Sequence, residues 1–117
     1  MKHKDFSHIP TGVAAALQEL GDRWNLLIIA SIFSGAHRFE SIQQSLGIAR
    51  NILSNRLSDF VARGVLERRM YTDKPPRFEY HLTQKGIETK PILDALEVWG
   101  DKWCRGGSGD AASLPSE

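Results

Sequence analysis

The chain has 117 residues, enough for one compact domain with a single hydrophobic core and too few for two. Hydrophobic residues make up 41% and charged residues 25%, a globular balance that excludes a disordered or fibrous protein, and the formal net charge is only +1. The longest apolar run, Leu26 to Phe33 with Ser31 inside it, falls far short of the roughly 20 residues a membrane span needs.

No apolar export signal follows the N-terminus, and the single cysteine, Cys104, excludes an intrachain disulfide or a cysteine-rich metal site. A soluble cytoplasmic protein without a membrane partner is expected. The small total charge hides a bias along the chain. Residues 1–36 are neutral, residues 37–77 carry eight basic against four acidic side chains for a net +4, and residues 78–117 sum to -3.

A first helix is expected from Pro10 or Thr11 to Leu20, with Val13 and Leu17 one turn apart and Gly21 closing it. Asp22 is placed to cap a second helix carrying Trp24, Leu27, Ile28 and Ile32, which ends at Ser34-Gly35 and is apolar nearly all round. That makes it the central helix. Phe39, Ile42 and Leu46 sit at helical spacing in a short third helix stopped by Gly47, and a fourth helix runs from Ala49 to Arg63, stopped by Gly64. Helix, short glycine-bearing turn, helix is the helix-turn-helix pattern.

Val65 to Thr72 has strand character, Asp73-Lys74-Pro75-Pro76-Arg77 breaks it, and Phe78 to Thr83 alternates apolar and polar. These residues predict a β-hairpin with a basic, proline-stiffened tip. Thr83 is placed to cap a last helix from Gln84 to Trp103, bent at Pro91, with Ile92, Leu96, Trp99 and Trp103 in an apolar stripe. The sum is a mainly α fold with a small β-hairpin, a winged helix-turn-helix over residues 6–104, followed by a flexible tail at 105–117.

On the fourth helix Leu53, Leu57 and Phe60 cluster on the inward side with Ala49 beside them, while Asn51, Ser54, Asn55 and Ser58 point away, flanked by Arg50. A solvated helix face ordinarily carries Glu and Lys in i,i+4 pairs, and this one has none. Its side chains suit a major groove, where Asn pairs bidentately with adenine, Arg with guanine, and Ser with base edges or phosphate. Two uses of Arg56 stay open: a stem laid on the core with the head on a phosphate, or an ion pair with Asp59 or Glu40. Lys74 and Arg77 are expected to meet DNA backbone or minor groove, and Arg38, ahead of the third helix, a phosphate at that helix's N-terminus.

Several segments carry a family likeness: Gly21-Asp-Arg-Trp-Asn-Leu-Leu-Ile28, Arg38-Phe-Glu-Ser-Ile42, Asn51-Ile-Leu-Ser-Asn-Arg-Leu57, Gly64-Val-Leu-Glu-Arg68, Pro75-Pro-Arg-Phe-Glu-Tyr-His-Leu-Thr83, Gly86 and Trp99-Gly100. In this order they resemble the HxlR-type winged helix regulators of bacteria, relatives of the MarR group. The resemblance runs from Ile9 to Trp103. It implies a homodimeric transcription factor on double-stranded DNA at a short, near-palindromic operator, with the first and last helices building the dimer. Val13, Leu17, Ile92, Leu96, Trp99 and Trp103 would then form the interface, which fits a stripe that would otherwise leave aromatic surface in water.

Many members carry a cysteine just before the proline of the first helix, through which some sense oxidants. Here Ile9 precedes Pro10, a departure from that pattern. Trp24 and Trp99 leave two alternatives, ordinary core packing or a pocket for an unknown small-molecule effector.

No two of His3, His8, His37 and His81 fall at i,i+4 on a predicted helix, so neither a metal nor another cofactor is expected. Ser54 and Ser58 lack a histidine in their segment and there is no phosphate-cradling glycine loop, which leaves no catalytic residues and argues against an enzyme. The competing function is a winged-helix protein-interaction module that binds no DNA. A repressor is the default form of the regulator, because no activation segment is visible.

Overall fold

The computed structural model describes residues 7–105. The tail expected at 105–117 therefore lies, apart from Arg105, outside the described residues. They fall into two compact units that meet in sequence between Ile87 and Glu88. No helix among them is long and apolar enough to cross a membrane.

The first unit opens with α1 (Gly12–Leu20), where Thr11 stands in extended conformation at the N-cap and its Oγ1 accepts from the Ala14 N–H at 3.1 Å. Helix α2 (Asn25–Phe33) begins later than the sequence suggests, because Asp22 does not cap it directly. Its Oδ1 accepts from the Trp24 N–H at 3.0 Å and shapes the preceding turn, while Trp24 occupies the N-cap with no side-chain bond. Ile28, Ile29 and Ile32 of α2 are buried, but Leu27 is half exposed, so the helix is sealed on one face only.

Helix α3 (Phe39–Leu46) ends at Gly47, whose φ of 68° is the left-handed conformation that glycine adopts without strain. Buried Ile48 anchors the following turn, and Gln43 Nε2 donates to the Ile48 carbonyl at 3.2 Å. Helix α4 (Arg50–Ala62) then buries Leu53, Leu57 and Phe60 as expected, whereas Ala49, at its N-cap, is exposed rather than part of the inward face.

Strands β1 (Leu66–Asp73) and β2 (Pro76–Leu82) form the antiparallel wing, with an irregularity in register between Met70 and Thr72. The wing is tied to the start of α3. Tyr80 N–H donates to the His37 carbonyl at 2.7 Å, His37 Nδ1 donates to the Tyr80 carbonyl at 3.0 Å, and Arg38 bridges to Glu79. Two α-helices joined by a short turn, with a hairpin fastened beside them, make the winged helix-turn-helix.

The expected single bent helix after Thr83 does not form. Thr83 Oγ1 does accept from the Gly86 N–H at 3.2 Å, but α5 (Gln84–Ile87) stops after one turn. Helix α6 (Lys90–Trp103), in the second unit, starts afresh with Pro91 in its first turn. Proline lacks the N–H an interior turn needs and its ring collides with the carbonyl four residues back, while in a first turn neither costs anything. A break replaces the bend. Every residue of the Ile92, Leu96, Trp99 and Trp103 stripe is exposed, so Trp99 is not a core residue.

Glu79 lies at the base of the wing. Hydrogen bonds from His81 Nε2, at 3.0 Å, and from Arg38 Nε, at 3.2 Å, hold its carboxyl below the usual carboxylate range. His81 is half buried, its ring stacked on His37 at 4.3 Å between centroids.

Two measurements check this arrangement. A Cβ at Gly86 would collide with the Val65 carbonyl and come within 2.9 Å of the Leu82 Cδ2. Gly86→Ala should therefore cost about 1–3 kcal/mol, and each of those should lower the thermal midpoint by roughly 4–8 °C. A carboxyl whose pKa is depressed on folding adds stability above its unfolded value and loses it as the solution is acidified through that range. The stability gap between the unaltered protein and Glu79→Gln should thus be widest near neutrality and shrink as the pH falls through and below the ordinary carboxylate range, read by chemical denaturation at each pH.

Candidate nucleic-acid interface

The outward face of α4 follows from burial on its other side. With Leu53, Leu57 and Phe60 fixed in the core, the 100° step per residue leaves Asn51, Ser54, Asn55 and Ser58 in solvent. None of these four side chains makes a hydrogen bond within the described residues. An amide or hydroxyl in that condition retains its full capacity for an outside partner.

Arg50, also expected on this face, is exposed but steadied from α3. Its Nη1 lies 3.5 Å from Gln43 Oε1 and 3.9 Å from Glu40 Oε2, and its guanidinium sits 4.6 Å from the centre of the Phe39 ring. These contacts leave the side chain two-thirds exposed, at 66%, and are weak individually. Ser58 lines a hollow of about 240 Å³ together with Arg68 and Tyr80, so the C-terminal half of the α4 face runs into the wing.

Arg68 was not among the candidates from sequence. It is exposed on β1 and lies over the Phe78 ring at 4.1 Å. Its signal in the sequence was strand alternation, which placed a cation in β1 without saying which helix that side of the strand would face.

At the other end of the wing, Arg38 is held between the Glu79 carboxylate and the Tyr71 ring, 4.0 Å from its centre. Arg38 and Arg77 line one surface notch of about 360 Å³ between the start of α3 and the hairpin. Lys74 stands at the turn and is exposed, and neither it nor Arg77 has an ion-pair partner among the described residues. Unpaired cations on a projecting hairpin are the groups a polyanion would displace counterions to reach.

Arg56 forms an ion pair, but with neither of the acids expected. Its guanidinium turns inward, and Nη2 lies 2.7 Å from Asp22 Oδ2, while Asp59 pairs with Arg63 and Glu40 with Arg50. Asp22 was out of reach of any argument confined to α4, since it lies 34 residues earlier. The structure thus groups Arg38 with Arg77, and Ser58 with Arg68, and sets Arg56 apart from the exposed face.

Two apolar faces stand outside this basic surface. In the first unit, α1 exposes Val13, at 72%, and Leu17. In the second unit, α6 exposes Ile92, Leu96, Val98, Trp99 and Trp103, and buries none of its residues. Cys104 is exposed at the C-cap of α6.

Comparison with known proteins bears on the same elements. The HxlR-like helix-turn-helix family matches residues 19–108. The chain is 39% identical over 105 residues to MT3179 of Mycobacterium tuberculosis (strain CDC 1551 / Oshkosh), an uncharacterised HTH-type transcriptional regulator; the match takes in 88% of this chain and 66% of that protein, just under two thirds of its length. Among solved structures, PA1607 superposes with a TM-score of 0.80 at 33% identity, covering 97% of this chain and 75% of that one. The reduced form of the transcriptional regulator YodB from Bacillus subtilis gives a TM-score of 0.68 at 28% identity, covering 86% of this chain and 100% of that one. With the family pattern extending from the end of α1 through α6 over a winged helix shared with these structures, the chain belongs to the HxlR-like helix-turn-helix family.

Proposed function

We propose that this chain is a sequence-specific transcriptional regulator, a repressor in its simplest form, that acts in the cytoplasm as a homodimer on a short near-palindromic operator. The observation that carries the reading is the α4 face: Asn51, Ser54, Asn55 and Ser58 are exposed, uncharged and without partners among the described residues. Such side chains match the donor and acceptor pattern of base edges in a major groove. Arg50 flanks the face. Arg38, Lys74 and Arg77 supply the positive charge that holds a duplex backbone, and Arg68 joins them beside Ser58. The chain works by binding and needs no chemistry of its own.

Dimerisation has a separate support. The α6 stripe would leave two tryptophans and two aliphatic side chains in water, a surface suited to a second copy, and in the first unit Val13 and Leu17 of α1 are exposed as well. A symmetric pair presents two α4 helices to successive major grooves, which is why a near-palindrome is the matching site.

A duplex selected by the unaltered protein from a random pool provides the probe. On it, Asn51→Ala and Asn55→Ala should each reduce preference over a scrambled duplex, at roughly 1–3 kcal/mol per lost bidentate contact. Lys74→Ala and Arg77→Ala should weaken both duplexes alike and lower the salt-dependence slope by about 0.9 per lost phosphate contact. If both asparagine variants discriminate as well as the parent, α4 does not read the groove. Trp99→Asp should shift the protein from dimer to monomer in a sedimentation run and reduce operator affinity with it. A parent protein that sediments as a monomer and selects no duplex would favour a docking module instead.

A further inference from the structure

We infer that the Asp22–Arg56 ion pair is a tether that fixes the rotation of α4, so that both residues govern base discrimination by positioning and neither touches DNA. The inference rests on the proposed reading of DNA by α4 and adds to it the device that aims the helix.

The buried stripe of α4 consists of Leu53, Leu57 and Phe60, and apolar packing of this kind is only weakly directional. A helix held by that stripe alone can roll on its bed. A roll of about 15° at the roughly 5–6 Å radius of a helix with its side chains moves a contacting atom by about 1.5 Å. Bidentate pairing with a base tolerates displacements of about 0.5 Å. Something directional must hold the helix.

The Arg56 guanidinium does so in a partly desolvated setting. The two side chains are 25% and 13% exposed, the Nη2 to Oδ2 distance is 2.7 Å, and Arg56 Nε is buried with no partner among the described residues. Asp22 is itself fixed, since its Oδ1 accepts the Trp24 N–H and its carbonyl accepts the Asn25 N–H. At the C-cap of α4, Arg63 comes to 4.0 Å from Glu19, while Lys85 of α5 holds the other oxygen of Glu19 at 2.9 Å. The short Asp22–Arg56 contact is thus the principal directional hold on α4, with a weaker one at its C-terminal end.

A direct phosphate contact is the competing role for Arg56, and salt dependence separates the two. A lost phosphate contact lowers the slope of log affinity against log salt by about 0.9, whereas a lost tether leaves it unchanged. The probe is the duplex that the full-length parent selects from a random pool, titrated by fluorescence anisotropy at several salt concentrations beside a scrambled duplex. Asp22→Asn and Arg56→Gln should each reduce preference for the selected duplex about tenfold, with scrambled-duplex affinity and salt slope unchanged.

Thermal melting accompanies each variant. Should Arg56→Gln fail to fold, Asp22→Asn and Asp22→Glu decide, the second keeping the charge and expected to keep discrimination. A slope lower by about one in Arg56→Gln would place the guanidinium on phosphate and overturn the inference. Unchanged discrimination in Asp22→Asn, or equal losses on both duplexes, would overturn it as well. A parent that selects no sequence would remove the DNA reading itself and the tether with it.

Discussion

Burial of one stripe of α4 is the constraint on which the rest depends. Leu53, Leu57 and Phe60 enter a core supplied by Ile28, Ile29 and Ile32 of α2, Ile42 of α3 and Ile48 of the turn, together with Val65 and Leu66. Each such side chain contributes roughly 1.5–3 kcal/mol on leaving water, far more than any single polar contact on the surface. Once those positions face inward, helical periodicity sends Asn51, Ser54, Asn55 and Ser58 outward, where no group among the described residues bonds them. The candidate interface is thus the unspent side of the core-forming helix.

Apolar burial decides which face turns in, while charged contacts decide how the pieces are aimed. The Asp22–Arg56 pair and the Glu19 contacts hold α4 from behind. Glu79 draws Arg38 and His81 to the base of the wing, and backbone exchange between His37 and Tyr80 fastens the hairpin to the start of α3. These bonds are modest in energy but directional, and they fix where the hairpin stands beside α3. Arg38 and Arg77 share a notch because of that fastening.

The second unit contributes a different kind of surface. Helix α6 begins where Pro91 permits a helix to begin, and it carries an apolar stripe wholly exposed within a single copy. Proline settles the break on stereochemical grounds, and the aromatic stripe calls for a cover. In the proposed regulator that cover is a second copy of the chain.

Much of this was legible in the residues themselves. Glycines at 47 and 64, the 3.6-residue spacing of Leu53, Leu57 and Phe60, and the period-two pattern of Phe78 to Leu82 set the element order and the outward face of α4, because each depends on neighbours within a few residues. Local periodicity carries that information in full. Other features depended on residues far apart in sequence. The partner of Arg56 lies 34 positions back, His37 stacks on a ring 44 positions on, and Arg68 meets Ser58 only through the packing of strand on helix. Even the place of Pro91, in the first turn of α6 and not inside a longer helix, followed from a break after Ile87 that the residue pattern did not show. The sequence by itself determined which α4 side chains face outward, since helical period is a local property; only the tertiary structure decided which cations are tied up in ion pairs, since an ion pair forms wherever folding brings opposite charges within reach.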